Sequence, residues 1–187
     1  KRQVMEDNVR QKAFDTALAV NLYLLSHPEK TVEALRQDSD FRQIAVQPYG
    51  KKGYTAVNEA GTGKNLFHKE TTYELMDFEY FKSDFPEFVS ILQSAKHGDY
   101  ASGFYQWRDP DGVIRDKYMF VKPASVKTAD GATLLVIATA YMDELLLPVE
   151  NLLSVFHGEQ NLLKHNFQRY RSHFILLIAA VISLTAI

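Results

Sequence analysis

The sequence predicts an α+β domain in which an antiparallel sheet lies between a long N-terminal helix and a long C-terminal helix. Residues 3–26 repeat apolar side chains at three- and four-residue spacing, which is the period of a helix with one buried face. From residue 48 the chain changes to short apolar runs separated by turn residues, a pattern typical of strands. From Asp143 the helical period returns and continues into an uncharged apolar run. These three observations together indicate the fold class.

The composition favours one folded domain with helical attachments. The chain has 187 residues, 46% of them hydrophobic, and its 12 Phe and 10 Tyr are enough for a packed core. The net charge of -2, without any run of basic residues, argues against a nucleic-acid partner. The absence of cysteine excludes disulfides, thiolate metal sites and cysteine nucleophiles.

The N-terminal helical region is predicted to cover residues 1–47. Its first helix should end at Ser26-His27-Pro28, because the residue before a proline avoids the helical conformation. Residues 30–47 are interpreted as one further, shorter helix. The start of that helix is less well defined, because Thr31 is followed three residues later by an alanine and not by the acidic residue of a capping box.

The sheet region is predicted to cover residues 48–142. A first hairpin joins YTAVNE to KNLFHK through residues 60–63. Ser83 is expected to cap a helix through FPEFVSILQSAK. Three strands follow, at 103–108, 113–122 and 133–141. The last of them is almost wholly apolar, so both of its faces should be covered.

The C-terminal part is predicted to be an exit helix, 143–173, that runs into a membrane span. Apolar residues from Val149 to Phe174 alternate spacings of four and three, which indicates a heptad seam. Residues 174–187 read FILLIAAVISLTAI and carry no charge. A helix that is apolar on every side must be buried or lie in lipid, so this run is interpreted as the beginning of a transmembrane helix.

Several stretches resemble the Cache family of extracytoplasmic sensors, which are relatives of PAS domains. The passage from first helix to first strand reads HPEKTVEALRQDSDFRQIAVQPYGKKGYTAV. The end of the first hairpin, NLFHK, is similar to a place where many members have His-Pro, with Lys69 here in place of the proline. The central hairpin and the last strand read YQWRDPDGVIRDKYMFVKP and LLVIATAYMDELLLPVENL. The likeness covers residues 10–150 approximately, the length of a single Cache module.

The resemblance implies a role as well as a fold. It implies a long helix behind an antiparallel sheet and a pocket for a small organic ligand on the other face. It also implies a homodimeric receptor in the inner membrane with this domain outside the cytoplasm, such as a histidine kinase, a chemoreceptor or a cyclic-dinucleotide enzyme. The expected function is therefore small-molecule sensing by a segment that is not itself an enzyme. The alternative is a periplasmic dimerisation or protein-interaction module without a small ligand.

Four side chains of the hairpin 103–118 are predicted to line the pocket. Tyr105 and Trp107 share one side of their strand, and Arg115 and Lys117 share a side of the next, because side chains alternate along a strand. If both pairs face inward, two cations and two ring donors converge, which suits a carboxylate ligand. The alternative is a solvated strand on which Arg115 and Lys117 pair with carboxylates such as Asp116.

Three further residues are candidates for ligand contact. His68 follows a strand and could donate a hydrogen bond to a ligand, or it could be a structural histidine. Tyr141 and Asp143 close the last strand, and Asp143 could either hold an amine or cap the exit helix. No catalytic set, metal site or cofactor is predicted, because GTGK at 61–64 lacks the spacing of a phosphate loop and the helical histidines are spread around their axis.

Overall fold

The structure, a computed structural model, describes residues 2–144. Within them six strands form one antiparallel sheet: β1 (Pro48–Tyr49), β2 (Gly53–Glu59), β3 (Asn65–Phe67), β4 (Ala101–Arg108), β5 (Ile114–Pro123) and β6 (Leu134–Tyr141). The spatial order is β1, β2, β6, β5, β4, and β3 also pairs with β2. The last strand in the sequence therefore lies between β2 and β5. The predicted α+β class with an antiparallel sheet is confirmed.

The long helix α1 (Arg2–Ser26) covers one face of this sheet, which we call the back face. Its apolar residues Val9, Ala13, Val20 and Leu24 are buried at the helical spacing seen in the sequence. Fully burying a valine or leucine side chain stabilises a fold by roughly 1.5–3 kcal/mol. The helix ends where the sequence predicted, and the Ser26 hydroxyl donates to carbonyls of the last turn.

The prediction of one helix over residues 30–47 is wrong. Two short helices lie there, α2 (Val32–Arg36) and α3 (Ser39–Ala45). The break occurs because the Asp38 carboxylate accepts hydrogen bonds from the backbone N–H groups of Asp40 and Phe41, which starts a new helix. Thr31 does cap α2, since its hydroxyl accepts from the Ala34 N–H at 3.2 Å.

Two short 3-10 turns (Thr71–Tyr73 and Phe78–Phe81) and helix α4 (Pro86–His97) cover the opposite face, the front face. The predicted cap at Ser83 is wrong, because α4 begins at Pro86 and the Ser83 hydroxyl instead donates to Asp84. Proline suits this first position because its missing N–H would have no helical partner. Gly103 on β4 allows the helix to approach closely, since a Cβ there would lie 2.8 Å from the Ile91 side chain.

Strand β6 is buried along its whole length, which confirms that both of its faces are covered. Alternate residues pack against α1 on the back face, and the others face the turns and α4. Beyond it, residues 142–144 begin a helical turn, and the Glu144 carboxylate accepts the N–H groups of Lys51 and Lys52 at 3.0 Å each. The predicted heptad helix and membrane span fall on residues outside those described. Among the described residues no helix has the length and apolarity to cross a membrane.

Candidate functional site

A cavity lies on the front face, between the middle of the sheet and the turns that cover it. Polar side chains reach it from the strands, and aromatic side chains close it from the other side. Its open volume is about 40 Å³. About 10–15 Å³ of such volume holds one water molecule, so the cavity as it stands accommodates a ligand of only a few heavy atoms. Its polar lining residues are Tyr54, Asn58, Asn65, His68, Tyr73, Tyr105 and Thr139.

His68 lies in this lining directly after β3. Its Nδ1 accepts the Glu70 N–H at 3.0 Å, and its Nε2 lies 2.9 Å from the hydroxyl of Tyr54. Burial lowers the pKa of His68 to about 4, so the ring is neutral at neutral pH. Nδ1 also lies 3.1 Å from the Glu70 carbonyl oxygen, so the tautomer of the ring, and with it the direction of the bond to Tyr54, depends on which Glu70 group Nδ1 bonds.

A pair of hydroxyl groups joins β4 to β6 in the wall of the cavity. The Tyr105 hydroxyl lies 2.7 Å from the Thr139 hydroxyl, and the Thr139 hydroxyl donates to the Tyr118 carbonyl at 3.2 Å. Burial raises the pKa of Tyr105 well above its usual value, so this phenol stays neutral. Both hydroxyls are satisfied within the protein, which fixes their position in the cavity wall.

Trp107 is the only tryptophan of the chain and lines the same cavity. Its ring is packed among aromatic side chains, with centroids 5.0 Å from Phe81, 4.9 Å from Phe85, 5.0 Å from Phe88 and 5.7 Å from Tyr73. These separations are typical of favourable aromatic pairs. The aromatic cluster therefore covers the front face around this part of β4.

The two predicted cations, Arg115 and Lys117, form ion pairs with Asp109, which the sequence had indicated only as a turn residue. Asp109 is held by Lys117 at 3.0 Å and by Arg115 at 2.8 Å, and it accepts the Tyr141 hydroxyl at 2.7 Å. Lys117 is 1% exposed, and its ammonium also lies 4.0 Å from the centroid of the Tyr141 ring. Arg115 makes a second ion pair, to Asp111, at 2.6 Å.

The charges of this cluster balance one another. Burial lowers the pKa of Lys117 to about 8, while the bond to Asp109 raises it, so the amine remains mainly protonated at neutral pH. Burial raises the pKa of Asp109, but its bonds to Tyr141, Lys117 and Arg115 lower the pKa by more. The pKa is therefore below its usual value, and the carboxyl group stays ionised. Two cations thus face Asp109 and Asp111, and the cluster as a whole is neutral.

The structure separates the seven predicted site residues into three groups. His68, Tyr105 and Trp107 line the cavity. Lys117 and Tyr141 are buried in the neighbouring ion cluster, and Arg115 is on its edge. Asp143 is exposed and pairs with Lys52 at 3.4 Å, because it lies in the helical turn beyond the strand. Ligand contact by any of them remains a prediction.

Residues of the cavity that the sequence reasoning missed are Tyr54, Asn58, Asn65 and the aromatic cover. Tyr54 and Asn58 share their side of β2 with Ala56 and not with Val57, so strand alternation in YTAVNE carried the signal. Asn58 is an asparagine on the same side of the strand as Tyr54 and Ala56, and this polar residue on an otherwise buried side was the signal in the sequence. Asp109 gave no such signal, because Asp-Pro-Asp-Gly is also the composition of an ordinary turn.

Comparisons with known proteins find similarity only to solved structures. No protein-family profile matches the chain, and no curated protein matches it. The chain is similar to the extracellular domain of a protein described as histidine kinase mmHK1S-Z3, with 18% identity, 65% of this chain and 40% of that chain covered, and a TM-score of 0.45. It is also similar to the ligand-binding domain of the Pseudomonas fluorescens chemoreceptor CtaA, crystallised with L-alanine, with 12% identity, 61% and 39% coverage, and a TM-score of 0.34.

The two solved structures are the extracellular domain of one protein and the ligand-binding domain of another. The chain spans about two fifths of the length of each. At this level of likeness, the ligand and the output of this chain have to be argued from its own residues.

Proposed function

We propose that this domain is the extracytoplasmic small-molecule sensor of a membrane signal-transduction receptor, such as a histidine kinase, a chemoreceptor or a cyclic-dinucleotide enzyme. The observation that carries the proposal is the cavity itself, which is partly enclosed and mostly apolar, with a few polar groups in its lining. Such a concave site with a few fixed polar groups is typical of small-molecule binding. Enzymatic activity of the receptor would belong to an attached output domain and not to this segment.

The position of the cavity suggests how binding reaches the rest of the chain. Ile137 and Thr139 bring β6 into the cavity wall, and β6 leads within a few residues to the helical turn at 142–144. Tyr141, between them, is tied to the Asp109 cluster. A ligand that binds better to one position of β6 shifts the population towards that position, by no more than its difference in affinity for the two states.

The arrangement in the membrane is part of the proposal. Residues 1–47 and 48–142 would form the sensing domain, residues 143–173 the exit helix, and residues 174–187 the beginning of a transmembrane helix. A reporter that is active only in the periplasm, fused near residue 130, should be active in the intact receptor. Activity there of a cytoplasm-dependent reporter alone would overturn the topology.

The ligand test uses the full chain in mild detergent. Trp107 fluorescence and thermal unfolding are followed against organic acids, amino acids, amines and small amides. We expect one class to change the fluorescence saturably and to raise the Tm, because a ligand that binds only the folded state stabilises it. Ala56→Leu, which fills the cavity, should abolish the response. No response from any class, or an unchanged response in the filled variant, contradicts the proposal.

A carboxylate, the ligand class predicted from the sequence, is one outcome of this test. It would reach Lys117 and Arg115 only in competition with Asp109, which already bonds both cations. If organic acids give the response, a charge-assisted contact of this kind accounts for about ten- to a hundredfold in affinity. If amines alone give it, Asp109 is the nearest buried carboxylate, while Asp143 is exposed.

A second candidate function is a dimerisation module without a ligand. Two observations favour it: aromatic side chains already cover Trp107, and α1 exposes an apolar stripe on the side away from the sheet. The stripe consists of Val4, Leu18, Leu22 and Leu25. These positions follow one another at three- and four-residue steps apart from one longer gap, as in a helix that pairs with a second helix. A homodimer through this stripe is compatible with sensing as well.

Cysteine crosslinking in the membrane-embedded receptor tests the pairing. The 187 residues contain no cysteine, so this part of the chain gives no background reaction. Cysteines at Leu18 and Leu25, on the stripe, should crosslink between subunits more readily than cysteines at Lys12 and Ala19, which are half-exposed and lie about 100° or more round the helix axis from that pair. Equal crosslinking at all four positions would exclude a dimer through the stripe.

A further inference from the structure

Two asparagines lie side by side in the wall of the cavity. Asn58 on β2 and Asn65 on β3 are direct partners across the antiparallel pair. Both line the cavity on the front face. Side chains of directly opposite strand residues are close neighbours, so the two amides present adjacent polar groups to the same space.

One polar atom of this pair lacks a partner within the described protein. Asn58 is 2% exposed, so its amide is buried in the cavity wall. The Asn65 side-chain oxygen is buried and has no hydrogen-bond partner in that same part of the chain. A buried amide without a partner destabilises the folded state, because its bonds to water are lost and not replaced. The other cavity hydroxyls, on Tyr105 and Thr139, are paired.

The cavity around these amides contains no charge to match an ion. Among the described lining residues none is an aspartate, glutamate, lysine or arginine. The nearest cations, Lys117 and Arg115, are already bound to carboxylates. A charged ligand placed beside Asn58 would therefore lose its hydration without gaining an opposite charge, which is costly in a buried site.

We propose that this cavity binds an uncharged ligand with a carboxamide-type head group, held by Asn58 and Asn65, with the Tyr54 hydroxyl as a further hydrogen-bonding group. The assignment rests on the proposed sensing function and specifies its ligand class. An amide head group carries an acceptor oxygen beside an N–H donor, so it satisfies both the N–H groups and the oxygens of the two asparagines. A carboxylate offers only acceptors and an ammonium only donors, and each leaves part of the pair unsatisfied. The aromatic wall accommodates a short apolar remainder.

The experiment compares three probes of nearly equal size that differ in the head group: propionamide, propionate and n-butylammonium. Each is titrated into the full chain in mild detergent, with Trp107 fluorescence and the Tm as readouts. We expect propionamide to bind, and the two ions to bind at least about tenfold more weakly. Asn58→Leu and Asn65→Leu keep the side-chain size and remove the amide. Each should weaken propionamide binding about tenfold or more, whereas Asn8→Leu on the exposed side of α1 should leave it unchanged.

A measurement without ligand separates binding from structure. Removing a buried amide oxygen that has no partner should leave the Tm unchanged or raise it, so Asn65→Leu should be at least as stable as the natural chain. A fall of several degrees in both Asn58→Leu and Asn65→Leu would show that the amides are structural and would overturn the proposal. Failure of propionamide to bind would overturn it as well. If propionate or the amine binds instead and Ala56→Leu abolishes that binding, the sensing function stands and the amide assignment falls.

Discussion

The two faces of the sheet are made by the same strands but are built in different ways. On the back face, β6 contributes Leu134, Val136, Ala138 and Ala140, which pack against apolar residues of α1 and its neighbours. On the front face, the same strand contributes Thr139 and Tyr141, whose hydroxyls bond within the protein. Apolar packing makes up most of the back face, with a few polar contacts such as the bond from the Thr55 hydroxyl to the Ala45 carbonyl. The front face depends on partners for buried polar groups, and those groups surround the cavity.

The difference has a physical consequence for how each face tolerates change. Apolar packing is non-directional, so the back face requires mainly volume and complementarity. Buried polar groups require specific partners at hydrogen-bonding distance, and the loss of one partner leaves the other unsatisfied in a medium of low polarity. A structural element that only had to be stable would carry the first kind of packing on both sides. The front face departs from it where we propose that the ligand binds.

The largest effect is expected at the ion cluster of the front face. Asp109→Asn should lower the free energy of unfolding by about 3–5 kcal/mol, because it leaves the buried Lys117 without its counter-charge. Asp116→Asn, an exposed carboxylate on β5 that bonds Gln106, is the control and should change stability by less than about 0.5 kcal/mol. Unfolding is followed in denaturant by Trp107 fluorescence. A similar small loss of unfolding free energy in both variants would show that the charge of Asp109 contributes little to the stability of the fold.

On the back face, the expected loss of stability comes from the empty space that a smaller side chain leaves, and not from an unpaired charge. Leu134 is fully buried there, and Leu134→Ala should lower the free energy of unfolding by about 2–5 kcal/mol. Ligand affinity of the folded protein should not change, because Leu134 faces α1. Leu25→Ala, at a side chain that is 64% exposed, controls for loss of leucine itself. A change in ligand affinity for Leu134→Ala would show that the two faces are not independent.

A pH-dependent contribution is expected from His68 on the front face. Its pKa is lowered from 6.5 to about 4 by burial, so between these values the unfolded chain binds a proton that the folded chain does not. Stability is therefore lost as the pH falls through this window, by about 2 kcal/mol between pH 7 and pH 5 for this group. His68→Asn should show a shallower loss over the same range, measured by denaturant unfolding at each pH. His97→Asn, on the surface, should retain the steeper dependence of the natural chain.

The smallest effect is expected from one hydroxyl. Tyr105→Phe removes the bond to Thr139 while keeping the ring, and should lower the free energy of unfolding by about 1 kcal/mol. Tyr100→Phe, on an exposed ring that stacks on Phe120, should have almost no effect. Because Thr139 still donates to the Tyr118 carbonyl, the loss should not exceed that of a single hydrogen bond. Equal stability of the two variants would mean that the front-face hydroxyls do not contribute to folding.

The back face was the part that could be predicted from the sequence. The spacing of apolar residues in α1 and the apolar run of β6 follow directly from burial, and both were confirmed. Local breaks were missed where a side chain bonds its own backbone, as Asp38 does inside an apparently continuous helical stretch. The polar contacts of the front face could not be predicted, because the pairing of Asp109 with Lys117 depends on how the hairpin places its turn.

In the candidate site, alternation predicted that Tyr105 and Trp107 share one side of their strand, and Arg115 and Lys117 one side of the next. The structure shows that the two pairs lie opposite each other across the hairpin. Alternation could not show that Asp109 would fold back onto the two cations, because Asp109 also begins the turn. Asn58 carried a signal, since it interrupts the apolar side of its strand. Its cross-strand partner Asn65 was beyond sequence reasoning, because the register of β2 and β3 contains an irregularity next to this pair.

The position of β6 in the sheet also determines when the sheet can be completed during synthesis. Strand β2 is complete by residue 59, but the strand that pairs along its whole length ends only at residue 141. Until that part of the chain has emerged, β2 and β5 each lack a neighbour, and the apolar side of α1 has only part of the surface on which it packs. Pairing over such a separation in sequence is slow relative to local hairpin closure. The nascent domain therefore exposes unpaired strand edges during synthesis, and the central strand of its sheet is added last.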